Sequence, residues 1–308
     1  MKAANGSCFQ IILQPTVETI RALIQWWKQN ESSIHDGSLE VVERLLARYE
    51  SDRHVFSGVF DPSVSHDSDG WHFFRFSYAF PWFHLDMNAI VDFIVSLWEP
   101  LGEDLCYLFK DLLRYASKPC VDQLLVGLSD EGDGKWRAKL YYQFTKNAGG
   151  TAWDLAVAIS GNQYAREIDP MDGLHCLGLD LGRGGIRTSK WYIRRNAAAL
   201  ARLDSDYGSN TGIAELSQRA RITHLDHLII YKESSQHDHN IVQKRRIDFN
   251  ILENNFTFDD LLHLKPMAPF REPQGRFRDM LDPFSIVPRI VSISLDDNND
   301  INLYYSIL

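Results

Sequence analysis

Nowhere in the sequence do about 18 apolar residues follow one another, so no membrane-spanning helix is expected. Positive charge is in deficit: 32 Lys and Arg stand against 41 Asp and Glu, a net charge of −9. A nucleic-acid binder needs a basic face to offset phosphate, and that balance argues against one. Cysteine is scarce as well. The four (Cys8, Cys106, Cys120 and Cys176) are far apart, with no Cys-x-x-Cys pair. Neither a disulfide framework nor a zinc ribbon is indicated, and reduced thiols of a cytosolic protein are expected. Between Met1 and Pro15 the only apolar run is Phe9–Leu13. That is too short for a signal-peptide core, and no small-residue cleavage site follows. These absences describe a soluble, acidic, cytoplasmic protein.

What is present is a repeat of pattern rather than of residue identity. Five times, two strand-like runs flank a turn rich in Asp, Gly, Asn or Ser. The pairs are His54–Phe60 with Trp71–Phe80, Gln123–Leu128 with Lys135–Phe144, and Leu174–Leu181 with Arg187–Arg194; Ile222–Tyr231 with Lys244–Ile251 and Arg289–Leu295 with Ile301–Leu308 complete them. Between them, apolar residues at three- and four-residue spacing predict helices over Val17–Gln29, Ser38–Tyr49, Met87–Trp98, Asp104–Ala116 and Thr151–Ile168. Further helices are expected over Asn196–Asp204, Thr211–Arg219 and Phe258–Leu264. The fold class is therefore α+β: ten antiparallel strands in five hairpins, closed edge to edge and surrounded by helices, with residues 1–308 forming one domain.

Alternation within the strands says which way such a barrel faces. Leu140, Tyr142 and Phe144 share one face, and Lys139, Tyr141 and Gln143 the other; Ile247 and Phe249 oppose Arg246 and Asp248, and Leu303 and Tyr305 oppose Asn302 and Tyr304. The apolar face must be covered, and amphipathic helices are at hand to cover it. The polar, aromatic face then points inward. A ring of ten strands is wider than the roughly eight that side chains alone can fill, so it holds a ligand.

In that register Arg75, Lys139, Lys190 and Arg246 enter the lumen from four different hairpins. Cations converging from several strands suit a multiply charged anion such as a diphosphate. Tyr141, Tyr192 and Tyr304 add aromatic faces able to stabilise and shield a carbocation. Together these groups are what ionising an allylic diphosphate requires. The alternative is a non-catalytic barrel that carries a small anionic or apolar molecule.

The chain resembles the ABBA-type aromatic prenyltransferases, and among them the cyanobactin peptide prenyltransferases, from about His54 to Leu308. The resemblance is carried by the helix–hairpin repeat, the pairs Lys139/Tyr141 and Lys190/Tyr192, the segment Leu177-Gly-Leu-Asp-Leu181 and the terminal Ile301-Asn-Leu-Tyr-Tyr305. It implies a barrel that binds dimethylallyl diphosphate on Arg75, Lys139, Lys190 and Arg246 beneath Tyr141, Tyr192 and Tyr304. A cyclic peptide acceptor would enter from the more open end. Relatives that prenylate Tyr or Trp carry a Glu on the first barrel strand, where the best match here is Phe56, which cannot serve as a base. A base must come from elsewhere, and Asp248 and Asp226 are the candidates, with His224 or His227 behind them. Two inward carboxylates also suit a guanidinium, which favours an Arg acceptor over Trp or Tyr; pairing of these aspartates with Arg246 or Lys244 remains the other reading. Mg²⁺ would be held through the diphosphate, leaving no motif of its own.

Three signals are set aside. Asp296-Asp-Asn-Asn-Asp300 matches a diphosphate-binding pattern but lies between two strands, so it reads as a turn. His237-Asp-His239 lacks further ligands at a metal-binding spacing. Gly182-Arg-Gly-Gly185 lacks the strand-to-helix setting and Lys-Ser/Thr ending of a phosphate loop.

Overall fold

A computed structural model describes residues 15–51, 59–67, 70–80, 87–130, 132, 135–145, 147–161, 173–195, 225–232, 242–250, 275–294 and 301–308. The expected helices over Asn196–Asp204, Thr211–Arg219 and Phe258–Leu264, the Asp296–Asp300 and His237–His239 segments, and Phe56 and His224 lie outside the described residues.

Two helices open the chain. In α1 (Val17–Asn30) the Thr16 hydroxyl caps the first turn by accepting the Thr19 N–H at 3.1 Å. Val17, Ile20, Leu23, Ile24 and Trp27 form its buried stripe. Its neighbour α2 (Asp36–Ser51) buries Val41, Val42, Leu45 and Leu46. Next in the chain come β1 (Val59–Asp67), β2 (Gly70–His72) and β3 (Phe74–Phe80). Helices α3 (Met87–Leu97) and α4 (Glu103–Leu113) follow, joined through a 3₁₀ turn at Glu99–Leu101. After β4 (Val121–Asp130) and β5 (Trp136–Phe144), α5 (Gly149–Ser160) stops at Gly161, whose φ of 70° suits only a residue without Cβ. The remaining strands are β6 (Gly173–Gly182), β7 (Gly185–Arg195), β8 (Leu225–Lys232), β9 (Val242–Asn250), β10 (Ile286–Ser294) and β11 (Ile301–Ile307). A short α6 (Arg276–Leu281), which sequence periodicity did not reveal, precedes β10.

From β3 to β11 each strand pairs with the next, β1 pairs with both β2 and β3, and β11 pairs back onto β1. The sheet therefore closes without an edge, as expected. Its eleven strands differ from the expected ten in one respect: the run predicted as Trp71–Phe80 is interrupted at Phe73, dividing it into β2 and β3. The first strand also runs on beyond Phe60. Ser65 and His66, read from sequence as turn, are ladder residues opposite His72 and Trp71. Gly182-Arg-Gly-Gly185 is a tight turn, with Gly184 and Gly185 at φ 98° and 123°.

The apolar face points outward and is covered. Leu140, Tyr142, Phe144, Leu177, Leu179, Trp191, Leu303 and Ile307 pack into the same core as the stripes of α1 to α5. Each such large apolar side chain removed from water contributes about 1.5–3 kcal/mol. Polar handles find partners there: the Tyr142 hydroxyl donates to the Leu112 carbonyl at 2.7 Å, and Trp27 Nε1 donates to the Phe73 carbonyl at 3.1 Å. Trp153 of α5 stacks on Trp191 of β7 at 5.7 Å between centroids. Among the described residues no helix is long and apolar enough to cross a membrane, and Cys106, Cys120 and Cys176 form no disulfide.

The helical layer is pinned to the barrel at one buried carboxylate. Asp130, at the end of β4, accepts the His35 N–H at 3.1 Å, the Ser38 hydroxyl at 2.6 Å and the Gly132 N–H at 2.8 Å. These bonds tie the α1–α2 connection to the β4–β5 turn. Replacing Asp130 by Ala orphans both backbone donors, so Asp130→Ala should cost about 2–4 kcal/mol in urea unfolding. A loss below about 0.5 kcal/mol would show the lock to be dispensable.

Candidate functional site

The closed sheet encloses a cavity of about 240 Å³. Its wall includes six cations, Arg75, Arg137, Lys139, Lys190, Arg246 and Arg289, against three carboxylates, Asp61, Asp180 and Asp248. An acidic protein thus encloses a lumen with an excess of positive charge.

Local alternation places these groups. Strands β3, β5, β7, β9 and β11 all run the same way, because each is separated from the next by one antiparallel strand. Arg75, Lys139, Lys190, Arg246 and Asn302 face the cavity from these five strands, and each has a cavity-lining partner two residues on: Ser77, Tyr141, Tyr192, Asp248 and Tyr304. Two residues of strand advance about 6–7 Å. Along each of these strands the first group therefore stands nearer the hairpin turn and its partner one step beyond.

Three of the four sequence-derived cations form one electrostatic cluster. Burial drives the Lys139 ammonium well below the ordinary lysine value, with Arg75, Lys190 and Arg137 pushing the same way and Asp180 opposing them. Lys190 is held by Asp180 at 2.8 Å. Burial works against the Lys190 charge, but that carboxylate outweighs it and raises the ammonium above its usual value. Asp180 in turn is depressed: burial favours its neutral form, and Lys190 and Lys139 overcome this. Arg75 lies over the Tyr304 ring, 4.5 Å from the centroid, a cation–π contact. Its burial is offset by Tyr304, Tyr141 and Tyr192, which hold it charged. The fourth cation, Arg246, is turned toward β10, donating to the Ser292 hydroxyl at 2.9 Å and to the Ser292 carbonyl at 2.8 Å.

Tyr141 and Tyr192 keep their protons. Burial pushes Tyr141 up to about 12 and Tyr192 well above the ordinary phenol value. Their rings lie 6.4 Å apart and tilted by 54°. Asp248 lines the cavity within electrostatic reach of Tyr192. Asp226 is the Cα partner of Asp248 across the β8–β9 ladder; its side chain, like that of His227, lies outside the described residues. Gln143, on the inward parity of β5, is buried.

The structure adds four charged residues to which sequence reasoning gave no role. Arg137 shares the inward face of β5, opposite Ser129, which in turn pairs with Arg75. Asp180 lies in the segment Leu177-Gly-Leu-Asp-Leu181, where leucines face out and Gly178 and Asp180 take the other parity. Asp61 on β1 is buried and ion-paired with Arg289, and the hydroxyls of Ser77 and Ser306 lie 3.4 Å from its oxygens. A carboxylate therefore does face the lumen from the first barrel strand, five residues beyond Phe56. The alternation Asp61, Ser63, Ser65 was the available signal. Arg289 had none: β10 shifts register between Pro288 and Ile290, and that bulge turns Arg289 inward against the parity of the buried, outward Val291.

No protein-family profile matches the sequence, and no curated protein matches it either. Solved structures do match in fold. The prenyltransferase PriB, in a ternary complex with L-tryptophan and dimethylallyl thiolodiphosphate, superposes with a TM-score of 0.60 at 11% identity, covering 94% of this chain and 95% of that one. The 5-dimethylallyltryptophan synthase from Streptomyces coelicolor gives 0.59 at 9% identity over 95% of both chains. AnaPT from Neosartorya fischeri gives 0.53 at 14% identity over 96% of this chain and 94% of that one. The fold is the ABBA prenyltransferase barrel.

Two predictions follow from the buried charges. Breaking the Asp61–Arg289 pair from one side leaves an uncompensated charge, so Asp61→Asn and Arg289→Met should each cost about 3–5 kcal/mol in urea unfolding. The double variant should lose clearly less than the sum; strict additivity would sink the pairing. For Lys139, whose ordinary value is 10.5, the depressed folded value means that the unfolded chain binds the extra proton in between. Stability should therefore rise with pH across that window, and the burden imposed by Lys139 should be full below the folded value and gone above 10.5. Lys139→Met should be more stable than the parent near pH ~7, with an advantage that shrinks toward pH ~10. An advantage independent of pH would contradict the buried-ammonium assignment.

Proposed function

We propose that this chain is a peptide prenyltransferase of the cyanobactin type. It moves a dimethylallyl group from its diphosphate to the guanidine of an arginine side chain in a cyclic ribosomal peptide, and works in the cytoplasm. The observation that carries this reading is a single lumen in which Arg75, Lys139 and Lys190 cluster and Tyr141, Tyr192 and Tyr304 stand within electrostatic reach of Arg75. The matching barrels in complex with dimethylallyl thiolodiphosphate support the donor class.

In this reading the diphosphate lies against Arg75, Lys139 and Lys190, with Arg246 at the rim of the same layer. The C1–O bond breaks with both electrons leaving on the diphosphate oxygen, where the cations stabilise the developing charge. The allylic cation left behind faces the neutral tyrosine rings, which stabilise it and exclude water. A guanidine nitrogen then forms the new C–N bond. A guanidinium has a pKa above about 12 and is not nucleophilic while charged, so its proton must pass to a carboxylate around the time of bond formation. Asp248 lines the same lumen within electrostatic reach of Tyr192 and takes that role, with Asp226 opposite it in the ladder.

The described residues offer Mg²⁺ no cage in this lumen. Asp61 and Asp180 are committed to Arg289 and Lys190. Among the described residues no three His, Cys, Asp or Glu side chains are grouped as metal ligands. The proposal leaves the ion on the diphosphate oxygens and assigns it no step.

A second reading keeps the transfer but gives it to Trp or Tyr; the tryptophan bound beside the donor analogue in the PriB complex favours it. Mass spectrometry after incubation with dimethylallyl diphosphate, Mg²⁺ and matched cyclic peptides bearing a single Arg, Trp, Tyr or His separates the readings. Addition of C5 units to the Arg peptide alone, reduced at least about 100-fold in Asp248→Asn, is the expected result. Addition to Trp or Tyr would remove the guanidine acceptor, and intact donor with every peptide would move the protein to the carrier class.

A further inference from the structure

Gly178 sits in the middle of β6, the Cα partner of Tyr141 on β5 and of Lys190 on β7. It is not among the glycines with positive φ, so backbone conformation does not ask for a glycine there. Space does. A Cβ at this position would lie 2.7 and 2.8 Å from Cε1 and Cδ1 of Tyr141 and 3.3 Å from Cε2 of Tyr192. Non-bonded carbons do not approach to such distances; their favourable separation is about 3.5–4.0 Å. The bare backbone of β6 is what lets the two rings lean together over it.

We propose that Gly178 is a positioning residue that shapes the allyl compartment by setting where Tyr141 and Tyr192 stand relative to the cation cluster. This rests on the diphosphate-and-tyrosine reading of the lumen given above. A methyl group at Gly178 meets the edge of the Tyr141 ring, and that ring borders a cavity of about 240 Å³. The ring can therefore swing inward, which leaves the strand intact and moves the aromatic face into the space where the allyl group would lie. The diphosphate contacts of Arg75 and Lys139 do not involve Gly178 and stay as they are.

The test compares two ligands by titration calorimetry: inorganic diphosphate, which reads the cation layer alone, and dimethylallyl thiolodiphosphate, which reads both layers. Gly178→Ala should weaken the thiolodiphosphate about tenfold and inorganic diphosphate by less than about twofold. In a Tyr141→Ala background the obstructing ring is gone, and Gly178→Ala should add less than about a further twofold. Equal weakening of both ligands, no weakening of either, or the full effect in the Tyr141→Ala background would each overturn the inference while leaving the donor reading intact. A parent protein that binds neither ligand overturns both. Should Gly178→Ala fail to fold, the double variant, relieved of the clash, is expected to fold; its failure to do so would place the role of the glycine in the strand and refute the compartment.

Discussion

Closure of the sheet on itself, β11 pairing with β1, is the constraint from which the rest follows. A closed sheet has no edge and two faces that differ sharply in solvation. Here the outer face is paved with Leu, Ile, Phe and Trp and sealed by helices, while Arg75, Lys139, Lys190, Arg246 and Asp248 line the inner face. The Asp61–Arg289 pair spans the closing seam: it joins β1 to β10 across β11, whose Ser306 stands beside the carboxylate. Closure and the chemistry of the lumen meet at that point.

Inside, the balance of charge is managed by partial pairing. Among the cations, Arg289 and Lys190 hold carboxylates and Arg246 holds Ser292, while Arg75 rests on Tyr304. At Lys139 burial and the cationic neighbours outweigh Asp180, and its depressed proton affinity is the consequence. Tyr141 and Tyr192, kept neutral by burial, line the same lumen as Asp248.

Much of this was legible in the residues. Alternation in Lys139–Phe144 assigned Lys139 and Tyr141 to the lumen and Leu140 and Tyr142 to the helices, and the structure has them so. Asp61 was not found because the strand was expected to end at Phe60, ahead of the polar stretch from Ser65. The proline is tolerated where it stands, as the β1–β11 ladder begins only at Ser63. Arg289 could not be found, because a one-residue bulge reverses the side to which parity assigns it.

Local physics thus determined the elements: hairpins from turn residues, helices from apolar spacing, and an inward face from period-2 alternation, all of which depend on neighbours a few residues away. Which lumen groups pair with which was decided only by closure, because Asp61 and Arg289 lie 228 residues apart and Arg246 and Ser292 lie 46 apart. The need for a glycine at position 178 is of the same kind. It arises from rings on two other strands, and no periodicity within β6 records it.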